Sequence, residues 1–223
     1  MEDSTIRQIA AGLVRRLGWR RLALLVLLNL IPVGGVAFLG WDAGYILLLY
    51  WAENLIMGGI ALVRILTARG DGPGPKTQGA GGRLGLGCFF VVHYGIFCLG
   101  HGAFAASMAS RLAPGAAGDV GLWARTFGDR GFQLALLATA ILQIIILVRD
   151  WWIAGRWKDS SPGLEMFRPY GRIAVLHVTI ILGAWGLAIV NAPTGAVLIL
   201  CLMKLILELT LLAFSSTGDD RAA

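Results

Sequence analysis

At 223 residues, 57% of them hydrophobic and only 14% charged, with a mean hydropathy of +0.73, the chain has too few polar residues to coat a soluble domain. The net charge of +6 and pI near 9.7 do not make it a nucleic-acid binder, because the basic residues flank apolar segments instead of crowding one polar module. Cys88, Cys98 and Cys201 all lie inside apolar runs, the first two about 15 Å apart along one helix, which excludes a disulfide framework and a cysteine metal motif.

The N-terminal segment TIRQIAAGLVRRLGWR places Ile6, Ile9, Ala10, Leu13 and Leu17 on one helical face and Arg7, Arg15 and Arg16 on the other. That pattern predicts an amphipathic helix over residues 1–20, lying on anionic lipid at the cytoplasmic surface. No small-residue cleavage site follows a short apolar core, so no processing is expected. Apolar stretches of about twenty residues, the length that crosses a bilayer, then predict six spans over residues 21–40, 43–66, 84–109, 132–150, 171–191 and 194–215. The expected fold is thus all-α and integral to the membrane. A six-transmembrane helix bundle fills residues 21–215, and 216–223 form a cytoplasmic tail.

Even-numbered spans put both termini on one side. Fifteen basic residues, from Arg7 and Arg64 through Arg69, Lys76, Arg83 and Arg149 to Arg221, fall on that side, against only Arg111, Arg125 and Arg130 opposite. The positive-inside rule makes it cytoplasmic. Trp19, Trp151, Trp152 and Trp157 are then expected at the inner headgroup level and Trp41 and Trp123 at the outer one. The loop ARGDGPGPKTQGAGGRLG nearly spells a phosphate-binding loop, but Pro75 stands where a glycine is needed and no strand precedes it, so it reads as a Gly/Pro linker. Residues 111–131 form the one long outer connection, folding back as a lid or lying on the membrane.

Polar residues inside the spans carry the functional question. YWAEN places Tyr50, Glu53 and Asn54 within YILLLYWAENLIMGGIALVRIL, and a charge near the bilayer centre costs about 2.5–3.5 kcal/mol unless it is paired, wet or neutral. All three histidines, His93, His101 and His177, are also within spans, as are Lys204 and Glu208, four apart on one face. Counted from the cytoplasmic end, His177 and Glu208 fall near about 10 Å, His93 about 14 Å, Lys204 about 16 Å, Glu53 about 20 Å and His101 about 26 Å. His93 and His101 are eight residues apart and cannot chelate one ion together. His93, His177 and a carboxylate from Glu53 or Glu208 do form a donor set suited to zinc or iron. Bis-histidine heme is a further option, without a marked porphyrin pocket. Against these stands simple packing, which is the ordinary role of a lone intramembrane histidine such as His101. Gly58, Gly59, Gly95, Gly100, Gly102, Gly183 and Gly186 are expected to admit close helix contacts.

YWAENLIMGG, HYGIFCLGHGAF, RPYGRIAVLHVTIILG and the later Lys204-x-x-x-Glu208 together resemble a family of small bacterial and archaeal polytopic membrane proteins classed as a domain of unknown function. The resemblance covers residues 45 to 212; the family has aspartate where this chain has Glu208, which keeps the carboxylate. It implies a multi-span helical fold and no assigned activity. Ceramidase-like membrane hydrolases also hold zinc through three histidines, but their Ser and Asp motifs are not found here.

Three functions fit these residues. In the first, an intramembrane enzyme holds zinc or iron at His93, His177, Glu53 and Glu208, with Glu53 and Lys204 as candidate catalytic groups acting on a lipid-like or small-molecule substrate. The second is a proton-coupled small-solute carrier relaying protons through Glu53, Lys204, Glu208 and the histidines. In the third, a scaffold or assembly protein uses its buried charges to fix helix register. Membrane lipid is the expected partner, nucleic acid is not, and the small-residue helix faces also admit a homo-oligomer.

Overall fold

A computed structural model describes residues 32, 34, 35, 38, 41, 43–71, 79–112, 118–171, 173, 174, 178 and 201–206. Among these residues every regular element is helical. Residues between Trp41 and Ile180 form one compact unit, and the few described residues outside it belong to a second. The predicted N-terminal interfacial helix, most of the first, fifth and sixth spans, the C-terminal tail, His177 and Glu208 lie outside the described residues.

Helix α1 is Ala43–Thr67, α2 is Gly79–Leu112, α3 is Gly118–Gly128 and α4 is Arg130–Leu147. A π turn, Val148–Ile153, continues α4, a 3-10 turn follows at Arg156–Lys158, and α5 covers residues 162–171. Three segments are long and apolar enough to cross a membrane, Gly44–Thr67, Gly79–Ser110 and Arg130–Ile153, matching the second, third and fourth predicted spans to within a few residues.

α1 is the packed centre of this unit: 61% of its most apolar window is buried, against 22% for each of the other two spans. One face, with Ala61, Leu62 and Ile65, packs with Phe90, Tyr94 and Cys98 of α2 and Met166 and Ile173 from the α5 region. The adjacent face, with Ile56, Met57, Ile60 and Ala68, packs with Leu147, Trp151 and Trp157. α2 and α4 turn apolar side chains outward instead, including Val92, Ile96 and Leu99, and Leu134, Leu137 and Ile145. Lipid solvates such apolar faces, in keeping with helices long and apolar enough to cross a membrane.

Glycines set how closely α1 and α2 run. A methyl at Gly44 would meet Ala109 at 2.9 Å, one at Gly58 would meet the Tyr94 ring at 2.5 Å, and one at Gly102 would meet the Trp51 indole at 2.7 Å. Those contacts run oppositely along the two helices, so α1 and α2 are antiparallel. Gly59, Gly95 and Gly100, expected to do the same work, would meet nothing within 4 Å.

The 111–131 connection is not a bare loop, because α3 occupies most of it. Trp123 meets the Trp51 ring edge-on at 5.2 Å and stacks on Phe127, which in turn contacts Phe132. α3 is therefore folded onto the bundle. Asp129 then caps α4, its Oδ1 accepting from the Phe132 amide at 2.8 Å. Trp41 is buried against Gly131 and so packs instead of anchoring in headgroups. α5 starts earlier than the predicted residue 171: Ser161 Oγ accepts from the Leu164 amide at 3.3 Å and Pro162 takes the first helical position.

Candidate functional site

α1 carries Tyr50, Glu53 and Asn54 inward, at 1%, 7% and 5% exposure. The Asn54 amide donates to the Tyr50 carbonyl one turn back at 3.3 Å. From α2, the Tyr94 hydroxyl donates to the Asn54 carbonyl at 2.9 Å, its ring stacked on Phe90 and lying on Gly58. The same arrangement recurs in the opposite direction, where the Trp51 indole of α1 lies on Gly102 and donates to the Cys98 carbonyl at 2.7 Å. In both cases the acceptor is the carbonyl one turn before the glycine. The missing side chain opens the helix surface and exposes the second lone pair of that oxygen.

His93 is the next residue around α2 and points elsewhere. Its Nδ1 shares a 3.1 Å hydrogen bond with the Tyr170 hydroxyl of α5, and the ring sits among Phe89, Phe97 and Tyr170. His101 has its Nδ1 2.7 Å from the Phe97 carbonyl of its own helix. A carbonyl only accepts, so this nitrogen carries the proton. Lys204 is buried on a helical turn of the second unit. Among the described residues no three His, Cys, Asp or Glu side chains converge as a metal-ion donor set; two of the four expected ligands, His177 and Glu208, fall outside those residues.

Sequence reasoning missed a carboxylate that lies between two predicted spans. Glu165 of α5 is 1% exposed, accepts from Ser160 Oγ at 2.5 Å, and pairs with Arg168 at 3.1 Å and Arg64 of α1 at 3.7 Å. Arg64 also lies over the Trp151 ring, 5.6 Å from its centroid. Trp151 is buried by the π turn, which widens the helix and swings its indole to donate to Thr67 Oγ1 at 2.8 Å. The Ser-Pro helix start at 161–162 and the i, i+3 spacing of Glu165 and Arg168 were the available signals.

This end of the unit is strongly basic. The Arg69 amide donates to the Trp157 carbonyl and the Gly70 amide to the Ser160 carbonyl, tying the end of α1 to the segment after the π turn. Arg69 and Lys158 both lie over the Trp157 ring, at 5.2 and 5.6 Å. Described cations at this end include Arg64, Arg69, Arg83, Arg149, Arg156, Lys158 and Arg168, while Arg125 and Arg130 are at the other.

A family model described as a family of unknown function, DUF6498, matches residues 13–223. No curated protein and no solved structure matches the chain.

Proposed function

The chain belongs to the DUF6498 family of unknown function, and we propose from its own residues that it is a multi-pass inner-membrane protein that moves protons, coupled to a small solute, through a buried polar tier. The observation that carries this reading is the 3.1 Å bond between His93 Nδ1 and the Tyr170 hydroxyl, made between two helices at partly buried positions among aromatic rings. Histidine is the side chain whose unperturbed charge change falls between about pH 5 and 8. A tyrosine hydroxyl both donates and accepts, so the pair can pass a proton from one helix to the next. Glu53, buried on the neighbouring helix, is the acid of the tier, and an ionisable group within a membrane span is a functional candidate by default, proton relay among its known roles. Both termini are cytoplasmic in this reading, in accord with the basic residues gathered at one end of the helices.

A second reading is favoured by the same bond. Tyr170 occupies Nδ1, which fixes the ring and leaves Nε2 as the nitrogen for a zinc or iron ion, the outer-shell arrangement common to metal-binding histidines. His177 and Glu53 or Glu208 would complete the set, and a bound water or lipid-like substrate would react there. The scaffold reading assigns Glu53 only to helix register.

One pair of measurements separates them. In proteoliposomes with an entrapped pH dye, wild-type protein is expected to pass protons, His93→Gln and Glu53→Gln to lose at least tenfold of the rate, and Tyr170→Phe to lose several-fold. Rates equal to protein-free liposomes refute proton movement. Elemental analysis of untagged protein giving about one zinc or iron per chain, lost in His93→Ala, would establish the metal reading; neither flux nor metal leaves the scaffold.

A further inference from the structure

The basic end of the unit holds an open pocket of roughly 350 Å³, lined by Leu66, Thr67, Arg69, Arg83, Trp151, Trp152 and Trp157. Two guanidinium groups therefore face one space from different helices, Arg69 just beyond the end of α1 and Arg83 in the first turns of α2. Neither makes an ion pair among the described residues. Of the carboxylates at this end, Glu165 is engaged by Arg168 and Arg64, and Asp150 by Arg149 at 3.5 Å, while Asp71 and Asp159 pair with neither Arg69 nor Arg83. A guanidinium without a carboxylate partner is a ready clamp for phosphate oxygens.

The walls say what carries that anion. Trp152 and Trp157 are partly exposed beside the cations, and the π turn that buries Trp151 also puts Trp152 on the rim. Indoles mixed with arginine belong at the level where acyl chains meet headgroups. We propose that this cavity binds the phosphate of a phospholipid headgroup, with Arg69 and Arg83 clamping the phosphate oxygens and Trp152 and Trp157 flanking the glycerol and upper acyl region. The ligand chemistry is a phosphate ester. An apolar wall beside the arginine pair selects the lipid-borne form over a free one, and anionic lipid of the cytoplasmic leaflet meets the net positive charge. The inference rests on the membrane-spanning reading but not on proton movement, so the two fail separately: the flux assay reads one and lipid retention the other.

The test is native mass spectrometry of full-length protein in detergent, titrated with dioleoyl phosphatidylglycerol, dioleoyl phosphatidylcholine, glycerol 1-phosphate or inorganic phosphate. Wild-type protein is expected to retain one phosphatidylglycerol at least tenfold more tightly than in Arg69→Gln or Arg83→Gln. Arg156→Gln, an exposed cation of the same end that does not line the cavity, should change retention less than twofold. Trp152→Ala, which keeps both charges, should weaken lipid retention without weakening phosphate binding; it also serves if either arginine variant is not monodisperse. Equal lipid retention in wild type and the arginine variants overturns the proposal. Inorganic phosphate or glycerol 1-phosphate binding as tightly as the lipid overturns the lipid assignment.

Discussion

Replacing Gly58 by alanine puts a methyl carbon 2.5 Å from Tyr94 Cε1, about 1 Å inside the roughly 3.5–4.0 Å at which carbon atoms attract. The ring has nowhere to go. It is 5% exposed, stacked on Phe90 and held through its hydroxyl to the Asn54 carbonyl. Overpacking of this kind costs about 1–3 kcal/mol, and losing an interhelical hydrogen bond in a membrane protein adds roughly 0.6–1.7 kcal/mol. Removing a glycine from a helix interior returns about 1 kcal/mol. The net expectation is a loss of roughly 1–3 kcal/mol. Gly59, its neighbour, would meet nothing within 4 Å, so Gly59→Ala keeps only the propensity gain and should be neutral or stabilising by up to about 1 kcal/mol. Equilibrium unfolding in mixed micelles, titrated with dodecyl sulfate and followed by helical circular dichroism, measures both. Adjacent alanines of opposite sign are the signature of a face-specific contact. Equal shifts for the two variants would refute the geometry given for the α1–α2 interface.

Glu165→Gln removes the charge that neutralises Arg64 and Arg168 while keeping an acceptor for Ser160. Stranding the partly buried Arg64 should cost on the order of 3 kcal/mol in the same titration, with Arg64→Met/Glu165→Met recovering part of it; no loss in the single variant would mean that the pair is not formed. Gly70→Ala drives a methyl into the Asp159 backbone, 2.2 Å from both its carbonyl carbon and oxygen, beside the Gly70 to Ser160 amide bond. Backbone on both sides cannot yield as a side chain can, so a loss of about 3 kcal/mol is expected, together with increased tryptophan exposure to iodide quenching at Trp157. An unchanged unfolding midpoint would show that the two segments are not so joined.

Length and apolarity made the second, third and fourth spans readable, because a helix in lipid must satisfy its own backbone over a fixed thickness. The burial of Tyr50, Glu53 and Asn54 was readable for the same reason. What those residues touch was not. Gly58 and Gly59 are indistinguishable in a string, yet only one faces Tyr94. Trp41 and Trp151 matched interfacial anchors by position, but a turn of π geometry and a neighbouring glycine bury them. Glu165 sits outside every apolar run, so no cost of burial drew attention to it. Its cation on α1 is 101 residues away and shares no local pattern with it. Tyr170 was hidden likewise, since the helix that carries it begins at a Ser-Pro capped turn ahead of the apolar segment.

The paired aromatic donors between α1 and α2 bear on how the chain enters the bilayer. Each helix supplies one aromatic donor that the other accepts: Trp51 donates to the Cys98 carbonyl, and Tyr94 to the Asn54 carbonyl. A lone α1 leaving the translocon would carry an indole donor and a carboxylate into hydrocarbon. A lone α2 would carry a phenol and a histidine. Released together as a helical hairpin, the two hide their aromatic donors in one step, and the glycines that receive the rings prevent a one-turn slip from hiding them equally well. In a bilayer, this pairing would favour inserting the two helices as one hairpin over inserting either alone.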